Sequence, residues 1–211
     1  MNKKKQIIIT GATGFLGLKL INKLLTKDFY IIAVSRSSIP SNLNNQQNLR
    51  WIIGDISEKL IFQNIKLSVD CIIHLAGATI GSNLDEQGYI KANELTLNNL
   101  LSEENITTKK IIFTSSQVIY GDKNSKNIKE DSSPGNIDSA YSASKINAEN
   151  WLKWHQRKLQ IPVIALRMSG FIEGGGIIDY IIDRAIENKE IELFSKGNIF
   201  RDYLPVKDGI S

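Results

Sequence analysis

The sequence has almost no cysteine and no long apolar run. Cys71 is the one cysteine among 211 residues. A single cysteine excludes a disulfide framework and a zinc site made from several cysteines, and no metal site is predicted. Because no run reaches roughly 18 apolar residues, no segment is expected to span a membrane. Glycines soon interrupt the short apolar stretch near the N-terminus, which argues against a signal peptide, so a reducing cytoplasm is the expected location.

Charge of one sign is not in excess either. The chain has 26 basic and 22 acidic residues, a net charge of +4. Such a mild, dispersed charge does not predict a nucleic-acid partner. Hydrophobic residues at 42% and charged residues at 23% are typical of a globular protein, which excludes collagen, a coiled coil and a wholly disordered chain. The length suits one domain, or one domain and part of a second.

Short apolar runs alternate with longer helical patterns along the chain. Apolar residues at helical spacing predict helices over 16–26, 85–103 and 142–158. This alternation predicts an α/β fold, a doubly wound parallel sheet with helices on both faces. The predicted strands are short, largely apolar runs, and they cover 6–10, 30–34, 50–53, 71–75, 110–114 and 162–167.

Three glycines follow the first strand where the first helix begins, at Gly11, Gly14 and Gly17. Backbone amides approach a phosphate closely only where no side chain intervenes, and a helix N-terminus adds unpaired N–H groups and a favourable dipole. Glycines at this spacing, at the start of a βαβ unit, therefore predict a dinucleotide-binding loop. A tight structural turn is the alternative.

The end of the second strand indicates which dinucleotide is bound. An acidic residue there would bind the ribose 2′-OH of NAD, but the chain has Ser35 and Arg36. A guanidinium pairs bidentately with phosphate oxygens, so Arg36 and the nearby hydroxyls favour the 2′-phosphate of NADP. The alternative is a surface arginine beside a neutral pocket that accepts NAD.

The glycine loop, TGATGFLG at 10–17, is the first of several motifs along the chain. The others are GD at 54–55, HLAG at 74–77, Asn93 in the next helix, SSQVIYG at 115–121, YSASK at 141–145, and RDY with Val206 and Asp208 near the end. Together they resemble the extended short-chain dehydrogenase/reductases, the NAD(P)-dependent nucleotide-sugar epimerases and dehydratases. The resemblance covers nearly the whole chain.

The resemblance implies an NAD(P)-binding Rossmann domain at 1–166 and a partial substrate-binding segment at 167–211. The family continues beyond the RDY motif, whereas this chain ends at Ser211, so a truncated C-terminal substrate-binding lobe is expected. The family acts on nucleotide-linked sugars and forms homodimers through the helix that carries YSASK and the helix before it. A nucleotide-sugar substrate and a homodimer are therefore expected here.

A serine, a tyrosine and a lysine form the predicted catalytic set. Tyr141 and Lys145 share a helix face, and a nearby ammonium lowers the pKa of a phenol. Tyr141 would exchange a proton with a sugar oxygen while a hydride moves, and Ser116 would polarise the same oxygen. The resemblance also assigns Lys145 to the nicotinamide ribose. Ser116 is preferred to Ser115 because it lies four residues before Tyr120, and a mere surface Tyr–Lys pair is the alternative.

Departures from the family pattern narrow the predicted reaction. The family's 4,6-dehydratases carry Asp–Glu where this chain has Gln117 and Val118. An amide and an alkyl group cannot do that acid–base work, so a dehydratase is not expected. The absence of an acid at Ser35 then favours NADPH-dependent reduction of a 4-keto sugar. A nucleotide-sugar 4-epimerase is the second prediction, and a non-catalytic dinucleotide-binding protein with an incomplete substrate site is the third.

The predicted substrate contacts are Ser116, Gln117 and Arg201. Arg201 would bind a diphosphate, or alternatively pair with Asp202 or Asp208. The predicted cofactor contacts lie in the motifs and at strand ends, and they are Gly11, Thr13, Gly14, Phe15, Leu16, Gly17, Ser35, Arg36, Asp55, Ile56, Leu75, Ala76, Gly77, Asn93, Tyr141 and Lys145.

Overall fold

The computed structural model describes residues 4–58, 61–121, 128–192 and 202–211. The chain divides into two compact units, Met1–Arg167 and Met168–Ser211. Within the described residues, no helix is both long and apolar enough to cross a membrane.

Parallel strands form the centre of the first unit. Its strands are β1 (Lys5–Thr10), β2 (Phe29–Ser35), β3 (Leu49–Ile53), β4 (Leu67–Val69), β5 (Cys71–His74), β6 (Ile106–Thr108), β7 (Ile111–Ser116) and β8 (Val163–Met168). Six of them make one sheet in the order β3-β2-β1-β5-β7-β8, while β4 and β6 pair separately. The predicted doubly wound sheet is confirmed.

The strand order reverses between β1 and β5, which both pair with their neighbours in parallel. Thr10, the last residue of β1, lies between Val34 of β2 and His74 of β5. Doubly wound sheets bind ligands outside the carboxyl ends of the strands at such a switch point. The fold therefore places the glycine loop and the HLAG turn on either side of the expected binding position.

Helices cover both faces of this sheet. They are α1 (Phe15–Leu25), α2 (Glu86–Tyr89), α3 (Thr96–Ser102) and α4 (Ala140–Leu159). A π-helical segment, Ile90–Leu95, joins α2 to α3, so the stretch predicted as one helix over 85–103 has a widened turn in its middle. The side chain of Ser139 caps α4 by accepting a hydrogen bond from the amide of Ser142.

Two apolar clusters form the core, one on each face of the sheet. Ile8 packs with Leu97 and Leu152 from α3 and α4, whereas its neighbour Ile7 packs with Ile21 from α1. Successive side chains of a strand point to opposite faces, so a continuous apolar run such as β1 supplies both clusters.

The described part of the second unit, residues 168–192 and 202–211, contains two short strands and two helices. β9 (Gly170–Phe171) pairs in parallel with β10 (Tyr203–Leu204). The helices are α5 (Ile177–Ile186) and α6 (Val206–Gly209). The carboxylate of Glu173 accepts a hydrogen bond from the amide of Val206 at 2.9 Å and so ties the two ends of this unit together.

Candidate active site

The loop between β1 and α1 and the first turn of that helix each have one position with room only for glycine. Gly11 has a φ of +64°, and a Cβ there would lie 2.7 Å from the backbone nitrogen of Ala76. A Cβ on Gly17 would collide with the carbonyl oxygen of Gly11. Gly14 is the N-cap of α1 and has no side chain to occupy the first amides of that helix. The loop therefore offers close backbone access and a helix N-terminus to an anionic group.

A cleft of about 600 Å³ opens at the switch point of the sheet. Its walls include ten of the predicted cofactor contacts, which are Gly11, Thr13, Gly14, Ser35, Arg36, Asp55, Ile56, Leu75, Ala76 and Gly77. Sequence reasoning missed further lining residues, among them Ser37, Lys91 and Ala92. Six predicted contacts lie outside this lining, and they are Phe15, Leu16, Gly17, Asn93, Tyr141 and Lys145.

The end of β2 joins the glycine loop through side-chain hydroxyls. The buried Ser35 Oγ lies 2.7 Å from Thr13 Oγ1, and it accepts a hydrogen bond from the amide of Ser37 at 3.0 Å. Arg36 points outward, with 75% of its side chain exposed, and its Nη1 lies 3.9 Å from an oxygen of Asp55. This corner of the cleft therefore presents the hydroxyls of Thr13 and Ser35 and the exposed guanidinium of Arg36, with the carboxylate of Asp55 close by.

Asp55 is held as a carboxylate at the rim of the cleft. Burial alone would raise its pKa, but hydrogen bonds from Ser57 and the charges of Arg36 and Lys91 outweigh burial, so the pKa lies below its usual value. The amide of Ser57 donates to Asp55 Oδ1 at 2.8 Å. The second carboxylate oxygen faces Arg36.

The HLAG turn is fastened to the end of β1. Thr10 Oγ1 lies 2.8 Å from His74 Nδ1 and accepts a hydrogen bond from the amide of Ala76 at 3.1 Å. Burial, with a smaller contribution from the charge of Lys145, lowers the pKa of His74 to about 3. His74 is therefore neutral at physiological pH. Its hydrogen bond with Thr10 helps to hold the HLAG turn in place, and it does not act as a base.

Asn93, in the π-helical segment, connects this turn to α4. Its Oδ1 accepts a hydrogen bond from the amide of Ala78 at 2.9 Å, and its Nδ2 donates to Ser144 Oγ at 2.9 Å. A Cβ on Gly77 would lie 2.6 Å from Asn93 Oδ1 and 3.6 Å from Lys145 Nζ. The predicted lysine therefore lies directly behind the cofactor cleft, although it does not line it.

Ser116, Tyr141 and Lys145 come together at the carboxyl end of β7. Ser116 Oγ accepts a hydrogen bond from the amide of Val118, and the Ser116 side chain is the polar neighbour that lowers the pKa of the Tyr141 phenol against the effect of burial. Lys145 Nζ donates to the carbonyl oxygen of Thr114 at 3.1 Å and lies 6.0 Å from the centre of the Tyr141 ring. The hydroxyl proton of Ser116 is thus free to point toward the same space as the phenol.

The protonation of this set differs from the expectation. Burial raises the pKa of Tyr141 above its usual value, and the hydrogen bond from Ser116 offsets only part of that rise. Burial also lowers the pKa of Lys145 to about 8, and the charge of Glu149 opposes the drop. The expected lowering of the phenol pKa by the lysine is therefore wrong for this structure, because burial of the phenol is the larger effect.

Ser115 has a different partner from Ser116. Its Oγ donates to Glu149 Oε1 at 2.6 Å, and Glu149 in turn pairs with Arg167 at 2.8 Å. Sequence reasoning missed this pair. The signal was a glutamate four residues after Lys145, on the same face of a helix that is buried against the sheet.

The remaining predicted substrate residues give less information. Gln117 is partly buried and begins a 3₁₀ helix of one turn, Gln117–Tyr120, directly after Ser116. Arg201 lies outside the described residues. Over the part of the chain that the structure describes, no group of three or more histidine, cysteine, aspartate or glutamate side chains could hold a metal ion.

A parallel sheet with a glycine-lined cleft at its switch point, and a Ser–Tyr–Lys set behind that cleft, defines a Rossmann-type nucleotide-binding protein of the short-chain dehydrogenase/reductase kind. Residues 7–211 match the NAD dependent epimerase/dehydratase family, so the chain belongs to that family. The resemblance drawn from the motifs is confirmed.

Two curated relatives resemble nearly all of the chain. One is a dTDP-D-glucose 4,6-dehydratase of Dictyostelium discoideum, 30% identical over 98% of this chain and 54% of the relative. The other is a putative UDP-glucose 4-epimerase of Methanocaldococcus jannaschii, 28% identical over 96% of this chain and 70% of the relative. The chain thus spans about half of the first relative and about two thirds of the second.

Solved structures share the fold. A UDP-N-acetylglucosamine 4-epimerase from Methanobrevibacter ruminantium, in complex with UDP-N-acetylmuramic acid, matches with a TM-score of 0.82 and 26% identity over 99% of this chain and 71% of that one. A UDP-glucuronic acid 4-epimerase from Bacillus cereus, in complex with NAD, matches with a TM-score of 0.80 and 24% identity over 97% of this chain and 71% of that one. The second likeness shows the fold alone.

Proposed function

We propose that this chain catalyses NADPH-dependent reduction of the 4-keto group of a nucleotide-linked sugar. The observation that carries the proposal is the set of Ser116, Tyr141 and Lys145 at the carboxyl end of β7, behind a cleft that Arg36 lines. Burial raises the pKa of the Tyr141 phenol and so keeps it protonated. A phenol that keeps its proton is a proton donor, and reduction of a ketone needs one.

The cleft suits a dinucleotide because the glycine loop and the N-terminus of α1 line it and offer backbone amides to a diphosphate. Gly11, Gly14 and the first amides of α1 would hold the diphosphate, and Asp55 would bind the adenine. Lys145 would bind the nicotinamide ribose. The bound dinucleotide supplies the hydride.

Proton delivery falls to the chain's own side chains. Ser116 Oγ accepts from Val118, so its O–H can donate to the keto oxygen of the sugar and polarise the carbonyl. Tyr141 then gives its proton to that oxygen while the carbonyl carbon gains a hydride, and the product is an alcohol. Below a pH of about 8 the ammonium of Lys145 stabilises the resulting phenolate.

The preference for NADPH rests on the corner between β2 and Asp55. Arg36 is exposed and pairs only loosely with Asp55, so it can turn to a 2′-phosphate without breaking a buried ion pair. Ser37 also lines this corner and adds a hydroxyl. No acidic residue stands at Ser35 to repel the phosphate.

Epimerisation at C4 is the second candidate. The named epimerase relative and the epimerase structures favour it, since the same three side chains could remove a proton from a 4-hydroxyl and return it. Dehydration receives less support, because Gln117 and Val118 supply no carboxyl group next to Ser116.

A non-catalytic nucleotide-binding role would leave Ser116, Tyr141 and Lys145 without a use.

Cofactor choice is tested by calorimetric titration with NADPH and NADH. Arg36→Ala should weaken NADPH binding by roughly 10- to 100-fold and change NADH binding little, because an arginine–phosphate contact is a strong charge-assisted bond. Arg50→Ala is the matched control, since Arg50 is exposed on β3 and does not line the cleft. Equal binding of the two cofactors by the unaltered chain would contradict the preference for NADPH.

A homodimer is part of the proposal. Trp151 and Trp154 are large exposed side chains on α4, and Leu95 is exposed on the π-helical segment before α3. Their exposure suits an interface built from these helices. Analytical ultracentrifugation should give twice the chain mass, and Trp151→Lys with Trp154→Lys should give the monomer.

A further inference from the structure

A buried network joins α4, β7, β8 and the turn after Ser116. Both carboxylate oxygens of Glu149 are used: Oε1 accepts from Ser115 Oγ at 2.6 Å and from Arg167 Nε at 3.0 Å, and Oε2 accepts from Arg167 Nη2 at 2.8 Å. The side chains of Glu149 and Arg167 are only 6% and 16% exposed. This is a bidentate pair shielded from water, with a third bond to the strand that ends in Ser116.

Arg167 extends the network to the far side of the turn. Its Nη1 donates to the hydroxyl of Tyr120 at 2.8 Å and to the carbonyl oxygen of Glu130 at 3.0 Å. The guanidinium carbon also lies 4.9 Å from the centre of the Tyr120 ring. Tyr120 is the last residue of the 3₁₀ turn that begins directly after Ser116.

The network therefore binds the segment 115–120 at both of its ends through hydrogen bonds. Glu149 binds its first residue, Ser115, and Arg167 binds its last, Tyr120. Ser116 and Gln117 lie between these two anchors. We propose that Glu149 and Arg167 are positioning residues, which fix the position of the Ser116 hydroxyl relative to the phenol of Tyr141.

The register of α4 explains why one glutamate can do this. Glu149 lies four residues after Lys145 and eight after Tyr141, so all three share one face of the helix. A single carboxylate thus fixes the helix that carries the proton donor to the strand that carries Ser116. It also faces Lys145, and its charge favours the ammonium form there.

A purely structural ion pair would contact the same atoms, and loss of either partner would destabilise the protein in both cases. Stability alone therefore does not separate the two roles. The readout has to follow the hydrogen bond between Ser116 and Tyr141 itself.

The experiment uses the whole chain with ¹³Cζ-labelled tyrosine. Tyr141→Phe identifies the Tyr141 resonance, and Ser116→Ala shows where that resonance moves when the hydrogen bond is lost. Glu149→Gln and Tyr120→Phe should each move it in the direction set by Ser116→Ala. Leu152→Val is the control: Leu152 is buried on α4 in the apolar core and forms none of the network's hydrogen bonds, so this variant should lose stability without moving the resonance.

Tyr120→Phe and one additional double variant keep the test decisive if Glu149→Gln does not fold. Tyr120→Phe removes one hydroxyl from a partly buried residue and leaves the ion pair intact, so it decides the matter if Glu149→Gln does not fold. The double variant Glu149→Gln with Arg167→Met removes both charges together and leaves no unpaired charge inside. It should also move the resonance.

The inference rests on the proposed function for its kinetic arm. With a 4-keto nucleotide sugar and NADPH, Glu149→Gln and Tyr120→Phe should lower kcat by roughly 10- to 100-fold, while KM for the sugar changes little, because a small displacement of a reacting group has an effect of that size. An inactive unaltered chain would contradict the proposed function, but the tyrosine resonance would still test the positioning. A Tyr141 resonance that stays in place in Glu149→Gln, Tyr120→Phe and the double variant would overturn the inference.

Discussion

Lys145 donates its Nζ hydrogen bond to the carbonyl oxygen of Thr114 and lies 6.0 Å from the centre of the Tyr141 ring. The same ammonium lies 5.1 Å from the centre of the Phe113 ring. The lysine is therefore buried among two aromatic rings and one carbonyl, and Glu149 is the carboxylate whose charge reaches it. Such a site holds a positive charge where the chemistry needs it, at the expense of stability.

Replacing this lysine should make the protein more stable and inactive. Burial lowers the pKa of Lys145 from 10.5 to about 8, so the ammonium is disfavoured in the folded state. Lys145→Met should raise the free energy of unfolding at pH 7 by about 2 kcal/mol, after allowing for the lost hydrogen bond. Denaturant unfolding of both proteins measures the difference.

The difference in free energy of unfolding between Lys145→Met and the unaltered protein should decrease as pH rises. Between about 8 and 10.5 the unfolded lysine still binds a proton that the folded one has lost, so the unaltered protein gains stability relative to the variant. Lys153→Met, at an exposed position of α4, should show no such trend. A constant difference over this pH range would contradict the buried-ammonium account.

Removal of either the Tyr141 or the Ser116 hydroxyl should stop the reaction while the protein still binds its cofactor. Tyr141→Phe should lower turnover by roughly 10²- to 10⁴-fold, and Ser116→Ala by roughly 10²-fold, because each removes a group that acts on the reacting oxygen. Both hydroxyls act on the reacting oxygen and neither belongs to the glycine loop that would hold the diphosphate, so NADPH binding should change far less than turnover. Steady-state rates and calorimetric titration measure the two effects. A variant that keeps its turnover would remove its residue from the catalytic set.

Acid should destabilise the protein through His74. Its pKa falls from 6.5 to about 3 on folding, so the stability that the neutral ring contributes is lost as pH drops through this range. By pH 5.5 the loss should be about 1.4 kcal/mol relative to neutral pH. Unfolding of His74→Gln at both pH values provides the reference, because glutamine does not titrate. Parallel stability curves for the two proteins would contradict this assignment.

The glycine loop should tolerate no methyl group at Gly17. A Cβ there would meet the carbonyl oxygen of Gly11, so Gly17→Ala should lower the free energy of unfolding by at least about 2 kcal/mol and weaken NADPH binding. Gly81→Ala is the control, since a Cβ at Gly81 has no neighbour closer than 4.0 Å. Equal stability of the two variants would show that the loop can relax around the added methyl.

The fold could be predicted because its signals are local. β1 is a continuous apolar run that ends in glycine, and α1 has helical spacing, so pattern alone defines the βαβ unit. The strands β4 and β6 have three residues each, too few for a pattern to register. The π-helical turn around Asn93 was also missed: Asn93 makes tertiary hydrogen bonds to Ala78 and Ser144, and local propensity does not reveal contacts of that kind.

The candidate site was predictable in its residue types and less so in its electrostatics. The spacing of Tyr141 and Lys145 follows from the helix, but the direction of the phenol pKa depends on burial, which the spacing does not reveal. The pairing of Glu149 with Arg167 joins α4 to β8 and leaves no periodic trace in the sequence. Long-range contacts of this kind need coordinates.

The central claim is that the chain transfers a hydride from NADPH to a 4-keto nucleotide sugar with Tyr141 as proton donor. Its most direct test is the decrease of NADPH absorbance on adding a UDP- or dTDP-4-keto-6-deoxyhexose, with Tyr141→Phe alongside. The account predicts that NADPH is consumed in step with formation of the 4-hydroxy sugar, and that the variant consumes almost none. Unchanged NADPH absorbance with the unaltered chain, together with interconversion of UDP-glucose and UDP-galactose, would contradict the account and identify an epimerase.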